Sequence, residues 1–243
     1  MRPVLRGASP QVDDFNPYDG AKPYLISRLG SYCSYCERRI ATILAVEHIQ
    51  PKGLPKYAAL ECVWTNFLLA CVNCNSAKGS QDVILADTLL PDRDNTFRAF
   101  TYKPDGQVEP SATLTVPQSA QAHTLLNLTK INKPVREFYD ENGQLIAMDR
   151  TSQRMEAWGT AETSLQDWIA DPTPGLSRAI VNLAKATGFF SVWLTVFDGQ
   201  PAIQQAIINE FPGTATCGCF APPNATHVTP HPNADLLASG SKV

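Results

Sequence analysis

Polar positions dominate residues 1–20, broken by Pro, Gly and Asp, and this stretch reads as an extended arm. "AKPYLISRLG" (21–30) has the spacing of a short helix stopped by Gly30. After the "CSYCE" turn, the β-branched and apolar run "ATILAVEH" (41–48) predicts a strand. "PKGLPK" is a loop, and "AALECVWTNFLLAC" (58–71) is apolar but fits strand and helix equally. "NSAKGS" opens or continues a short helix.

The rhythm changes beyond residue 82. "NTFRAFTYKPDGQVEP" (95–110) predicts a hairpin around Pro104-Asp105-Gly106. Three or four helical segments follow. In "TSQRMEAWGTAETSLQDWIADP", Met155, Trp158, Leu165, Trp168 and Ile169 recur at near-helical spacing and predict a core-facing stripe. "LSRAIVNLAKAT", "FFSVWLTVF" and "PAIQQAIINEF" read as buried in the same way, and from Ala221 onward a Pro-, Asn- and Ser-rich strap or tail is expected. There is no internal repeat.

With 243 residues, 44% hydrophobic and 18% charged, the chain suits one large or two small globular domains. No run approaches the roughly 18 apolar residues that cross a bilayer. The opening residues lack the apolar stretch of a signal peptide, so a cytoplasmic protein is expected. The formal charge of −3 argues weakly against a nucleic-acid partner, but its distribution reverses that. Residues 22–80 hold seven basic side chains and three acidic ones, which makes that window +4 and the remainder −7. A locally basic segment can meet a phosphate backbone.

Seven cysteines stand at 33, 36, 62, 71, 74, 217 and 219. In a reducing compartment clustered cysteines point to metal before disulfides. Cys33-x-x-Cys36 and Cys71-x-x-Cys74 can each supply one edge of a tetrahedral S4 shell, which suits zinc. A thioredoxin-like redox pair is the weaker alternative, because neither pair sits at a recognisable strand-to-helix turn of that fold. A closed S4 shell has no open position, so this zinc should hold structure and do no chemistry. Cys62 reads as a core thiol; Cys217 and Cys219 with His227 and His231 could make a second zinc site, but the irregular spacing favours chance.

Between the two knuckles lie Glu47 and His48, then Asn66, and Asn75 directly follows Cys74, the last of the four paired cysteines. Here "VEHIQP", "WTNFLLAC" and "CVNCNSAKG" resemble the three parts of the HNH endonuclease motif. The resemblance implies an α+β protein: a zinc-stapled ββα-metal core embedded in a mostly helical chain with a small β-hairpin. The implied division is an arm (1–20), a nuclease core (21–82), a mainly helical region for partner docking (83–220) and a tail (221–243).

For the site, the resemblance implies His48 as general base, Asn66 as the residue that orients it or its loop, and Glu47 with Asn75 as ligands of a catalytic Mg²⁺ or Mn²⁺. Strand alternation objects to adjacent residues 47 and 48 sharing a site, unless the alternation breaks at the strand's end. Glu47 also departs from the Asp of many relatives, and Asn75 from the family's final His. Lys52, Lys78, Arg38 and Arg39 are candidate contacts to nucleic acid, with DNA the expected target and RNA an open alternative. The later "GFFSVWLTVF" and "FPGT…CF" pieces are similar to the HNH subunit of Septu-type and retron-linked anti-phage systems, which implies an ABC-type ATPase partner. The competing expectation is a zinc-stapled binding module with no catalysis.

Overall fold

A computed structural model of the chain describes residues 1–133, 138–146 and 149–243. At its centre, β1 (Ala45–His48) pairs antiparallel with β2 (Phe67–Ala70), with Val46 opposite Leu69 and His48 opposite Phe67. All four residues of β2 are buried, as expected of a strand covered on both faces. The ambiguous run 58–71 therefore divides. Pro55–Leu60 and Trp64–Asn66 form 3-10 turns, and only the last four apolar residues before Cys71 extend. Helix α1 (Lys22–Leu29) ends at Gly30 as expected and packs on β2 through Leu25 and Leu29. Helix α2 (Val72–Lys78) leaves β2 directly, completing a ββα unit.

The hairpin expected at 95–110 is present. A single turn, α3 (Thr96–Ala99), leads into β3 (Phe100–Tyr102), which pairs with β4 (Val108–Pro110) around a turn closed by Gly106 N–H on the Lys103 carbonyl (3.0 Å). Helix α4 (Val116–Thr129) follows, then the two-residue pair β5 (Phe138–Tyr139) and β6 (Leu145–Ile146). The helices α5 (Arg150–Ala170), α6 (Pro174–Thr187), α7 (Phe190–Val196) and α8 (Pro201–Glu210) pack on one another, and β7 (Phe220–Ala221) pairs with β8 (Thr226–His227) beyond them. The protein is an α+β fold of small antiparallel hairpins among helices.

The apolar stripe expected on α5 is only partly inside: Trp158, Leu165 and Trp168 pack half-buried against the two hydrophobic clusters. Met155 and Ile169 are exposed, whereas Ala157, Ala161 and Ser164 are buried together with Arg150 and Arg154. Small side chains let α6 and α7 approach the α5 backbone closely. The two arginines reach carbonyl oxygens left free elsewhere: Arg154 donates to Gly106 and Ile131, Arg150 to Thr129 and Lys130. Hydrophobic periodicity cannot detect a face built this way.

Residues 1–6 and Phe15 are woven into the core, while most of 8–20 stays exposed. Val4 and Phe15 are buried, and Val4 N–H donates to Pro91 (2.8 Å). The fully buried Arg6 ion-pairs with Asp92 (3.1 Å) and donates to the carbonyls of Thr65 and Phe67, thereby holding the start of β2. The last residues form a strap: Arg93 donates to Ala238 (3.0 Å), and Asn95 N–H to Val243 (2.9 Å). One hydrophobic cluster accordingly runs from Val4 through the ββα unit and α4 to Ala157 and Val192.

The first cysteine knuckle docks on the α6–α7 junction. Phe189 N–H donates to Glu37 (3.0 Å), and the Glu37 carboxylate accepts from Ser191 N–H (2.8 Å) and Oγ (2.5 Å). Gly188 sits beneath at φ +76°, where a Cβ would meet Arg39 N and Glu37 O at 2.7 Å each. Gly188→Ala should therefore cost about 2–4 kcal/mol, combining backbone strain with a collision between main chains. Gly199→Ala, at φ +79° but with nothing within 4 Å of the new Cβ, should cost only about 1 kcal/mol. Urea denaturation of the two variants side by side tests the difference.

Candidate nuclease site and its metal staple

Two knuckles meet because β2 carries both. Ser34, between the first cysteine pair, donates its N–H to Leu69 (2.8 Å) and accepts from Leu69 N–H through Oγ (3.3 Å). Two residues later Cys71 caps α2, its Sγ accepting from Cys74 N–H (3.4 Å). The four sulfurs of Cys33, Cys36, Cys71 and Cys74 all lie within 4.8 Å of one another, and all four residues are buried. The Cys36–Cys71 separation of 3.7 Å matches a tetrahedral edge, about 3.8 Å for Zn–S bonds near 2.3 Å. The donor set and spacing fit a structural zinc ion.

The protonation pattern agrees. Contacts from Cys33, Cys36 and Cys74 pull the Cys71 thiol far below its ordinary range, while burial pushes Cys33 well up. Four thiols this close cannot share negative charge without a cation among them. Two arginines add to that balance. Arg150 donates to Cys74 Sγ (3.2 Å). For Arg38, burial opposes the charge, but the thiols of Cys36 and Cys71 offset this and hold its guanidinium above its ordinary value. Arg38 also donates to Asn73 (2.7 Å) and Gln153 (3.2 Å). Arg38, expected on nucleic acid, is thus committed to the metal staple and α5. Arg39, its neighbour, is exposed.

Cys217, Cys219, His227 and His231 do not gather into a ligand set; among the described residues the first four cysteines are the one such group. His227 stacks on Phe97 (centroids 5.1 Å apart), and His231 Nδ1 accepts from Asn233 N–H (2.8 Å). Cys62 is half-buried.

Alternation persists to the end of β1, and it separates Glu47 from His48. Glu47 is 1% exposed; its Oε1 ion-pairs with Lys78 (2.9 Å) and accepts from Tyr35 (3.3 Å). Burial pushes its carboxyl up, against the pull of Lys78. Lys78, 2% exposed, also donates to the His48 carbonyl (2.7 Å), so α2 is fastened to β1 by one ammonium. Both expectations change here. Lys78 is too deep to reach a phosphate, and Glu47 as it lies does not fit a ligand for a catalytic ion, because its carboxylate already serves two buried donors.

His48 faces elsewhere. Its Nε2 lies 2.8 Å from the Glu61 carbonyl oxygen. A carbonyl only accepts, so Nε2 carries the hydrogen and Nδ1 keeps its lone pair. Phe67 and Tyr18 flank the ring edge-on, at centroid distances of 5.3 and 4.8 Å. Burial lowers the imidazole's proton affinity below the ordinary value, and Lys52 adds to that. Asn66 staples the loop that follows: its Oδ1 accepts from Gln50 N–H (2.8 Å) and its Nδ2 donates to Gln50 (2.9 Å) and Leu60 (3.2 Å). Asn75 stands half-exposed on α2. Lys52 remains within reach of solvent, paired with Glu61 (2.7 Å) and lying 4.0 Å over the Tyr18 ring.

Several of these groups carry no signal in the sequence. Glu61 contributes a carbonyl that any residue could supply, while Tyr18 and Arg150 lie outside the motif and reach it only through folding. The buried pair is open to test. Lys78→Met should lower stability by about 3–5 kcal/mol by stranding the Glu47 carboxylate, and adding Glu47→Leu should recover most of the loss. Chemical denaturation of the single and double variants measures both.

Residues 33–81 match the family model described as HNH endonuclease, about a fifth of the chain. No curated protein matches. The matched span begins at the first zinc-binding cysteine and ends just past Lys78, so it encloses both knuckles, the β1–β2 hairpin and α2. The stapled ββα unit is thus the part of the chain that is similar to HNH endonucleases, and the remaining residues pack around it.

Proposed function

We propose that the protein is an HNH endonuclease that hydrolyses phosphodiester bonds of DNA, with His48 as general base. The observation that carries this reading is the imidazole pinned by the Glu61 carbonyl, with its Nδ1 lone pair free, on the matched ββα unit. Nδ1 takes the proton of a water as that water attacks phosphorus and the P–O bond to the departing oxygen breaks. Lys52, half-exposed beside the base, offers charge to the phosphate. Asn66 keeps the loop carrying Lys52 in register with β1. Arg39 is a more distant contact for the nucleic-acid backbone. Because Glu47 is already engaged by Lys78 and Tyr35, no step here is routed through a divalent ion, although Asn75 remains accessible to one.

Plasmid nicking in Mg²⁺, in Mn²⁺ and with a chelator is the direct test. Nicking in at least one of these conditions is expected; none in any of them favours the non-catalytic binding module. Two variants should then fail differently. Cys74→Ser removes one thiolate of the staple, and structural zinc contributes folding free energy directly. It should lose zinc and become protease-sensitive. His48→Ala should keep its zinc and its melting temperature, yet cut about 10²–10⁴-fold more slowly. Wild-type cutting by a zinc-loaded His48→Ala protein would end this assignment.

The pH profile follows from the same residue. His48 works only when neutral, and its proton affinity is lowered from the ordinary 6.5. The cleavage rate should therefore hold as pH falls through 6.5 and drop at a lower pH.

The biological setting extends the proposal. Similarity of the later stretches to the HNH subunit of Septu-type and retron-linked systems supports an anti-phage effector acting with an ABC-type ATPase. The apolar residues that α5 leaves exposed, Met155 and Ile169, are available to such a partner. Co-elution of the two chains on a sizing column after co-expression is the expected result.

A further inference from the structure

We infer that Tyr18, outside the matched domain, is a positioning residue of the nuclease site: its ring sets the His48 imidazole and holds the Lys52 ammonium beside it. The inference rests on the nuclease reading above. Four contacts form a closed circuit. The Tyr18 ring meets His48 edge-on (4.8 Å between centroids, 73° between planes). Lys52 Nζ lies 4.0 Å over the same ring. Lys52 pairs with the Glu61 carboxylate (2.7 Å), and the Glu61 carbonyl takes the hydrogen of His48 Nε2 (2.8 Å). The base and the nearest available cation are thus spaced by one aromatic ring and tied to one residue. A cation over an aromatic face is attracted to it, and that ring face is therefore a seat for the ammonium.

The backbone that carries the ring is anchored on both sides. Tyr18 opens a 3-10 turn, Tyr18–Ala21, that runs straight into α1. Gly20 N–H closes the turn on Pro17 (3.0 Å). On one side Ala21 is buried; on the other, Phe15 is buried against Trp64 and Phe67 and donates its N–H to Cys62 (3.0 Å). Phe67 also meets His48 edge-on, at 89°. Without Tyr18 the imidazole keeps one aromatic neighbour and one hydrogen bond, and ring rotation becomes possible. A base misplaced by a fraction of its length loses much of its rate advantage.

Three variants and two readouts decide the matter. Tyr18→Phe keeps the ring, Tyr18→Leu keeps apolar bulk without it, and Tyr18→Ala removes both. In ¹⁵N-labelled protein, wild type and Tyr18→Phe should show His48 as the Nε2–H tautomer, whereas Tyr18→Leu and Tyr18→Ala should show exchange-averaged imidazole nitrogens. Their kcat for plasmid nicking should fall about 10–100-fold with KM changed far less, at wild-type zinc content and melting temperature. Tyr18→Phe should stay within about two-fold of wild type, since the hydroxyl is not what touches the imidazole.

An unchanged tautomer and rate in Tyr18→Leu overturns the inference. So does a Tyr18→Phe protein as slow as Tyr18→Leu, or a loss of activity that comes only with loss of zinc. If wild-type protein cuts nothing, the nuclease reading fails, and the imidazole spectra alone decide whether Tyr18 sets His48.

Discussion

Four sulfurs crowded into a dry interior cannot be stable as bare thiols and thiolates, and the rest of this structure is arranged around that constraint. A zinc ion resolves it by holding all four as thiolates, which leaves a doubly negative centre. The strand β2 brings the two knuckles together, with Ser34 bonded to Leu69 in one direction and Cys71 following Ala70 in the other. The hairpin and the metal centre thus depend on each other. Short strands of four residues would hold poorly alone.

The negative charge that a zinc tetrathiolate would keep is met in part from outside the matched span. Arg150, from the first turn of α5, reaches Cys74 while also taking the terminal carbonyls of α4. Arg38 turns from the knuckle toward the thiols and toward Gln153 of α5. Glu37 fastens the same knuckle to Ser191 on α7. Helices far along the chain therefore contact the cysteine cluster and its knuckle directly, and two of the cluster's nearby positive charges, Arg38 and Arg150, are tied to α5. This coupling gives the helical region a structural reason to lie against the stapled ββα unit.

The hairpin also sorts two adjacent residues into different environments. One side of β1 is closed: Glu47, Lys78 and Tyr35 satisfy one another away from water. The other presents His48 between two aromatic rings, with Lys52 and Glu61 at the solvent margin. A buried ion pair adds little net stability but is costly to break, and here it fixes α2 against the strand that carries His48. The Glu47–Lys78 side thereby helps position the side that carries His48.

The sequence alone determined the local facts. Two Cys-x-x-Cys turns 34 residues apart imply a shared tetrahedral metal, and the β-branched run before His48 implies a strand. Pro104-Asp105-Gly106 marks a turn because Gly tolerates positive φ there. These are decided by residue type and short spacing, and they are legible without a structure. What it could not determine was which side chains meet across long separations. Periodicity placed Met155 and Ile169 inside, yet α5 buries alanines and arginines because its neighbours approach closely. Residue type put Lys78 and Arg38 on nucleic acid, yet a buried carboxylate claims one and a thiolate cluster claims the other. Tyr18 carries no motif at all. Only the tertiary structure decided these, because burial leaves each charge to be satisfied by whichever opposite charge folding brings within reach.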